Sequence, residues 1–300
     1  MPTVRSNILW QRASARWAEI EGIAPDLAPA LALQQRLVRL LLDASGVLNQ
    51  PLPPALSAGS VGDKWRRGVP ALRNEQVAIP DSLKDALPSF CTALAEGGAG
   101  DSALHIGDAL GRGHIDAGSM LAVSLARNRK AIRTSALHMG FSPDLIWLIA
   151  ELGSSPLAHH LQALLMGQMM GSHEWDRGYC PICGSWPAFI EALDGSHALR
   201  CSYCAAAWAL MSRRCIYCGN CGDDFVAAAP GAAAGARHLE LCGRCGNYTK
   251  ILSVPDATPF PLLAVEDLAS MDLDQGAMER EYRRPDLYDL DSIEPLKSNC

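Results

Sequence analysis

Eight cysteines of this 300-residue chain form four Cys-x-x-Cys pairs, Cys180/Cys183, Cys201/Cys204, Cys215/Cys218 and Cys242/Cys245. No other feature limits the fold of the C-terminal half so strongly. Two sulfurs three positions apart around a tight turn can face one ion while backbone N–H groups point at them. A glycine follows the second cysteine in three pairs, at Gly184, Gly219 and Gly246, and supplies the positive φ such a turn needs. Ala205 stands at that place in the Cys201/Cys204 pair, which weakens the glycine pattern there and leaves the ligands intact.

The spacers divide the pairs. Seventeen residues separate Cys183 from Cys201 and twenty-three separate Cys218 from Cys242, each long enough for a β-hairpin that folds a second knuckle over the first. Only ten lie between Cys204 and Cys215, so these belong to successive sites. The expected metal ligands are therefore Cys180, Cys183, Cys201 and Cys204 for one ion, and Cys215, Cys218, Cys242 and Cys245 for a second. Cys221 extends the third pair and is read as a free or structural thiol instead of a ligand. All-sulfur tetrahedral sites suit zinc or a mononuclear iron centre, and ligand identity alone does not separate the two. A full shell leaves no open position for hydrolytic chemistry. As staples, such ions contribute on the order of 10 kcal/mol or more to folding, which a cysteine-rich stretch with few large aliphatics needs.

The first 170 or so residues read as helices. Trp10, Ala13, Trp17 and Ile20 make one apolar stripe, and Leu33, Leu37, Leu40, Leu41, Ala44 and Leu48 make another. Ser142-Pro143 starts a helix that Gly153 is expected to stop, and Ser155-Pro156 starts the next. Gln50 to Gly62, rich in Pro, Ser and Gly, reads as a long loop. His159 and His160 are adjacent, point about 100° apart on a helix, and are read as solvated or capping residues. At Gly178 helical periodicity gives way to short strands between turn residues. The expected organisation is a helical domain over 1–177, tandem metal modules over 178–212 and 213–254, and an acidic, partly helical segment over 255–300. In fold class this is an all-α N-terminal domain followed by a small β region of two knuckle modules.

Charge and hydropathy exclude several functions. Residues 170–254 carry seven basic and seven acidic side chains, whereas phosphate-binding modules need excess positive charge; a nucleic-acid-binding zinc ribbon is disfavoured. Residues 255–300 carry eleven acidic and four basic side chains, and within them the acidic segment Glu279 to Asp291 reads as a solvated tail or a docking arm. A thiol oxidoreductase would place one Cys-x-x-Cys at a helix start, and here four stand among turns and strands. No run of 18 apolar residues is present, and Arg5, Arg12 and Arg16 interrupt the first twenty-one residues. The expectation is a cytoplasmic chain without membrane insertion, in which clustered cysteines mean metal or redox chemistry instead of disulfides. The helical half also has enough apolar surface for a homodimer face.

The ordered segments GYCPICGSWP, LRCSYCAAAW, RCIYCGN, LELCGRCGNYTKIL and AVEDLASMDLD, running from about 178 to 275, resemble the FdhE family of formate dehydrogenase accessory proteins. The resemblance implies a cytoplasmic, non-enzymatic maturation factor with rubredoxin-like knuckles that bind iron. It implies the dehydrogenase catalytic subunit as partner and the eight paired cysteines as ligands. Cys221 and the Ala/Gly-rich stretch between the third and fourth pairs depart from the family pattern.

Overall fold

The first apolar stripe of the N-terminal half forms a helix that buries Ala13, Trp17 and Ile20, whereas in the second only Leu41 and Ala44 are buried and Leu31, Val38 and Leu42 complete the buried face. In the computed structural model, residues 4–169, 175–228 and 237–285 are described. They divide into two compact units, Met1–Ala55 with Leu72–Leu164, and Leu56–Ala71 with Leu165–Cys300.

The first unit contains α1 (Val4–Ile23), α2 (Ala28–Gly46), α4 (Asp81–Leu94), α5 (Gly100–Gly111), α6 (Ala117–Leu125), α7 (Arg129–Met139) and most of α8 (Pro143–Met169). Trp17, Val38, Leu87, Phe90, Ile106, Leu121 and Ile149 are buried in it. The Trp17 indole N–H donates to Gln34 Oε1 at 2.8 Å, so its polar atom is satisfied. The expected break at Gly153 is absent, and α8 is one helix of 27 residues. A Cβ at Gly153 would lie 2.6 Å from Leu87 Cδ2 and 2.9 Å from Leu121 Cδ2. Glycine there serves close helix packing, not termination. Pro156 offers no N–H to the Leu152 carbonyl, and Ser155 Oγ donates to that oxygen instead, at 3.2 Å. His160 Nε2 lies 2.7 Å from the Gln50 carbonyl oxygen, in keeping with a half-buried structural histidine.

In the second unit, the stretch read as loop holds helix α3 (Ala58–Arg66), with Ser57 as its side-chain cap. Val61 and Trp65, one turn apart, are both buried. Their burial explains a helix that composition alone did not announce.

The cysteine-rich half is a single six-stranded sheet in the order β3-β2-β1-β6-β5-β4. Its strands are β1 (Pro187–Leu193), β2 (Ser196–Cys201), β3 (Ala207–Trp208), β4 (Phe225–Ala228), β5 (Arg237–Cys242) and β6 (Asn247–Ser253). Asp194-Gly195, both at positive φ, turn β1 into β2, as two-residue hairpins require. The Ala/Gly-rich stretch lies mostly outside the described residues. Each module contributes three antiparallel strands, and β1 pairs with β6 in parallel from Ile190↔Ile251 to Ala192↔Ser253. The second module thus repeats the first by translation across one sheet, a continuity the two successive modules of the sequence reading did not include.

Helices α9 (Leu263–Ala269) and α10 (Met271–Met278) lie on this sheet. Leu263, Leu273 and Ala277 pack with Phe189, Leu239, Leu241, Tyr248 and Leu252. Past α10 the chain returns to β6, where Arg283 N donates to Gly246 O at 3.0 Å. The docking-arm or tail reading of 279–291 lies beyond the described residues from 286 onward.

Lys250, 1% exposed, explains why the YTKIL and DLASMDLD segments occur together. Its ammonium lies 2.6 Å from Asp267 Oδ1 and 2.9 Å from Asp274 Oδ2. Arg284 reaches the same two carboxylates at 2.5 and 2.9 Å, and the Tyr248 hydroxyl donates to Asp274 at 2.6 Å. Two cations and two carboxylates balance, so the charges are tolerated in a buried setting.

Candidate metal centres

A tight turn brings the two cysteines of each pair together, and three knuckles share the same backbone geometry. Gly184 N donates to Cys180 O at 3.0 Å, Gly219 N to Cys215 O at 2.9 Å and Gly246 N to Cys242 O at 2.9 Å. The glycines take φ of 85°, 72° and 67°. Ala205 adopts φ 61° at the matching position, so the fourth knuckle keeps the turn despite its side chain, at a cost of roughly 1–2 kcal/mol.

The structure assembles the eight paired cysteines into two groups, Cys180/Cys183/Cys201/Cys204 and Cys215/Cys218/Cys242/Cys245, with the sulfurs of each group within 4.8 Å of one another. In the first, Cys180 and Cys204 sulfurs are 3.6 Å apart, and those of Cys183 and Cys201 are 3.5 Å apart. In the second, the Cys215–Cys245 and Cys218–Cys242 separations are 3.7 and 3.6 Å. A tetrahedron with metal–sulfur bonds of about 2.3 Å has edges of about 3.8 Å. Each group is therefore sized for one ion. Cys221 is in neither group and is disulfide-bonded, so it is not a ligand of the second group, and of the free-or-structural reading the free thiol is set aside and the structural cysteine stands.

Backbone and side-chain donors turn toward the sulfurs. Ile182 N points at Cys180 Sγ from 3.4 Å and Ser185 N at Cys183 Sγ from 3.5 Å. Tyr203 N and Cys204 N both approach Cys201 Sγ at 3.4 Å. In the second group Asn220 Nδ2 lies 3.5 Å from Cys242 Sγ and 2.6 Å from Asp224 Oδ1. Asn220 was not singled out from the sequence; its only signal was its place two residues after Cys218. Donors of this kind support thiolate ligands and orient them.

Supports lie on both flanks. Arg200, buried beside Cys201, is ion-paired with buried Glu191 and donates to Thr258 O at 2.6 Å. Arg214, next to Cys215, lies 2.6 Å from Asp176 Oδ2. Burial alone would raise the Asp176 carboxyl, yet hydrogen bonds from Arg214 and Met211 outweigh it and hold the pKa below the usual value. Gly178 meets the second knuckle directly: a Cβ there would fall 1.7 Å from the Ile216 carbonyl oxygen. Because that obstacle is backbone, Gly178→Ala is expected to destabilise the protein by about 3 kcal/mol, the upper end of ordinary overpacking. Urea unfolding measures this, and an unchanged midpoint would contradict the close approach.

Protonation couples the sulfurs to the ion. Burial pushes the Cys180 and Cys204 thiols well above their ordinary value and moves Cys218 up to about 11. The sulfur contact with Cys245 raises Cys215, while the same contact lowers Cys245. Without a cation Cys180, Cys204, Cys215 and Cys218 therefore retain their protons, and a bound ion must displace them. Metal affinity should fall as pH decreases, because protons compete with the ion for the thiolates. A chromophoric chelator follows the loss of metal, and a pH-independent affinity would contradict thiolate ligation. Cys91, in the helical unit, differs: it is a buried core residue whose thiol burial lifts to about 11.

No family model matches the chain. It is 32% identical over 159 residues to an FdhE homolog of Aquifex aeolicus, covering 50% of this chain and 53% of that protein. It is 29% identical over 143 residues to the FdhE protein of Escherichia coli, covering 46% and 44%. The chain thus spans about half the length of the curated relatives it matches. In fold it is similar to the crystal structure of the FdhE protein from Pseudomonas aeruginosa, with a TM-score of 0.61 over 96% of each chain at 21% identity. The sequence relatives agree with the FdhE resemblance, and the structural likeness agrees with the helical-plus-knuckle architecture.

Proposed function

We propose that this chain, a relative of the FdhE proteins, is a cytoplasmic accessory protein for the maturation of formate dehydrogenase that binds the catalytic subunit of that enzyme. In this reading it carries two ions, iron or zinc, one on Cys180, Cys183, Cys201 and Cys204 and one on Cys215, Cys218, Cys242 and Cys245. The supporting observation is the pair of four-sulfur groups, each the size of a tetrahedral ion's shell, in a chain similar to FdhE proteins in sequence and fold.

The chemistry of the donor set narrows the role. Four sulfurs complete a tetrahedral shell, so a substrate finds no open position for hydrolytic chemistry at the ions, and the proposed role is that of a non-enzymatic accessory protein. The equal numbers of acidic and basic residues over 170–254 disfavour nucleic acid as partner. Among the described residues no helix is long and apolar enough to cross a membrane. The proposed functional division is a helical domain over 1–177, of which Leu56–Ala71 and the residues from Leu165 onward belong to the same compact unit as the modules, metal modules over 178–254, and an acidic segment over 255–300 that joins the exposed face of the modules in recognising the client.

An anaerobic affinity pull-down from cells producing formate dehydrogenase, with metal analysis of the same sample, tests partner and ions together. The catalytic subunit is expected to co-purify, and a ferric tetrathiolate would colour the protein, whereas colourless protein with stoichiometric zinc would identify zinc. Full activation of the dehydrogenase by metal-free protein would overturn the reading.

A further inference from the structure

The two sulfur groups differ in what covers them. All four cysteines of the first are buried, while Cys218 and Cys245 of the second are half-buried. Over the first knuckle, the Pro181 carbonyl accepts from Trp65 Nε1 at 2.8 Å and from Ala71 N at 2.9 Å. The Tyr179 hydroxyl donates to Gly68 O at 2.8 Å. Residues 56–71 are thereby fastened across the knuckle at three points, and Trp65 also packs against Trp175, ring centroids 6.1 Å apart.

The second knuckle is covered on one side. Its Ile216 carbonyl meets Gly178, and Cys215 and Cys242 cluster with Phe225. Cys218 and Cys245 stay within reach of solvent, and they come from different knuckles. Each knuckle of this centre therefore supplies one shielded and one reachable ligand.

We propose that the second centre is an exchangeable metal site entered by small thiols at Cys218 and Cys245, whereas the first releases its ion much more slowly. This inference rests on the reading that both groups bind metal. In the exchange step the sulfur of an incoming thiol bonds to the ion as the Cys218 or Cys245 sulfur leaves. The proton lost by the incoming thiol passes to the departing cysteine, so charge and oxidation state are unchanged. Cys215 and Cys242 keep the ion in place during the exchange.

The test uses the full chain, purified anaerobically with its metal and exposed to glutathione plus a chromophoric chelator, with iodoacetamide labelling mapped by peptide mass spectrometry. One ion is expected to leave roughly tenfold or more faster than the other, because buried sulfurs react only through local opening. Cys218 and Cys245 should be labelled before Cys180, Cys183, Cys201 and Cys204. Trp65→Phe keeps an aromatic side chain, smaller than the indole, and removes the N–H that Pro181 O accepts; it should accelerate the slow ion while leaving the fast one unchanged. Ions leaving at one rate with all eight cysteines labelled in parallel would overturn the inference and leave the two-ion reading intact. A folded chain that binds no metal would overturn both.

Discussion

Replacing Cys180 and Cys183 together with serine is expected to remove one ion per chain and unfold the cysteine-rich half. A structural tetrathiolate ion contributes on the order of 10 kcal/mol or more to folding, comparable to the roughly 5–15 kcal/mol of net stability of a whole domain. The loss should spread beyond the first module. Strands β1 and β6 pair in parallel, so disorder in the first hairpin removes the neighbour of a strand that follows directly on Cys245. Limited proteolysis, with metal analysis, reads both effects. Retention of two ions and native resistance would contradict the ligand assignment. In the proposed role the same variant no longer activates formate dehydrogenase.

Lys250→Met should be among the most damaging substitutions away from the cysteines. It leaves the part-exposed Asp267 and Asp274 to share the part-exposed Arg284; breaking a fully buried ionic group costs about 3–5 kcal/mol, and the solvent that reaches the carboxylates puts the expected loss at the lower end, about 3 kcal/mol. A fall of that size in urea-unfolding free energy is the expected result, and a change within about 0.5 kcal/mol, the range of ordinary surface substitutions, would show that the cluster is dispensable. Acid should act on the same cluster. Burial raises the Asp267 carboxyl, but the charges of Arg284 and Lys250 prevail and its pKa lies below the ordinary value. A carboxyl depressed in the folded state stabilises the protein above its unfolded pKa of about 3.9 and loses that contribution as pH falls through the folded value. Stability should therefore drop below about pH 4, less steeply in the Lys250→Met variant.

The grouping of the eight cysteines was legible because it depends on local quantities: three-residue spacing, glycine after the second cysteine, and spacer length. A hairpin between Cys183 and Cys201 was legible from spacer length in the same way, although its turn at Asp194-Gly195 was not singled out. Features set by distant contacts were not legible. Trp65 and Pro181 are 116 positions apart, and nothing near Trp65 announces that its N–H will be used on a metal knuckle. The stop signal at Gly153 and the start signal at Ser155-Pro156 are real local preferences, overridden by side chains of α4 and α6 that leave no room for a Cβ. Parallel pairing of β1 with β6 has no signature in either strand. The repeated modules were visible as repeats, while their fusion into one sheet was not. Tyr248, Lys250, Asp267 and Asp274 were visible as segments of a family pattern, and the structure supplies the physical reason they occur together.

Native mass spectrometry of the anaerobically purified full chain tests the central claim most directly. The account predicts a folded monomer mass increased by two metal ions less the protons they displace, with Cys180, Cys183, Cys201, Cys204, Cys215, Cys218, Cys242 and Cys245 protected from rapid alkylation relative to the unfolded chain. A compact, folded chain at its apo mass would contradict it.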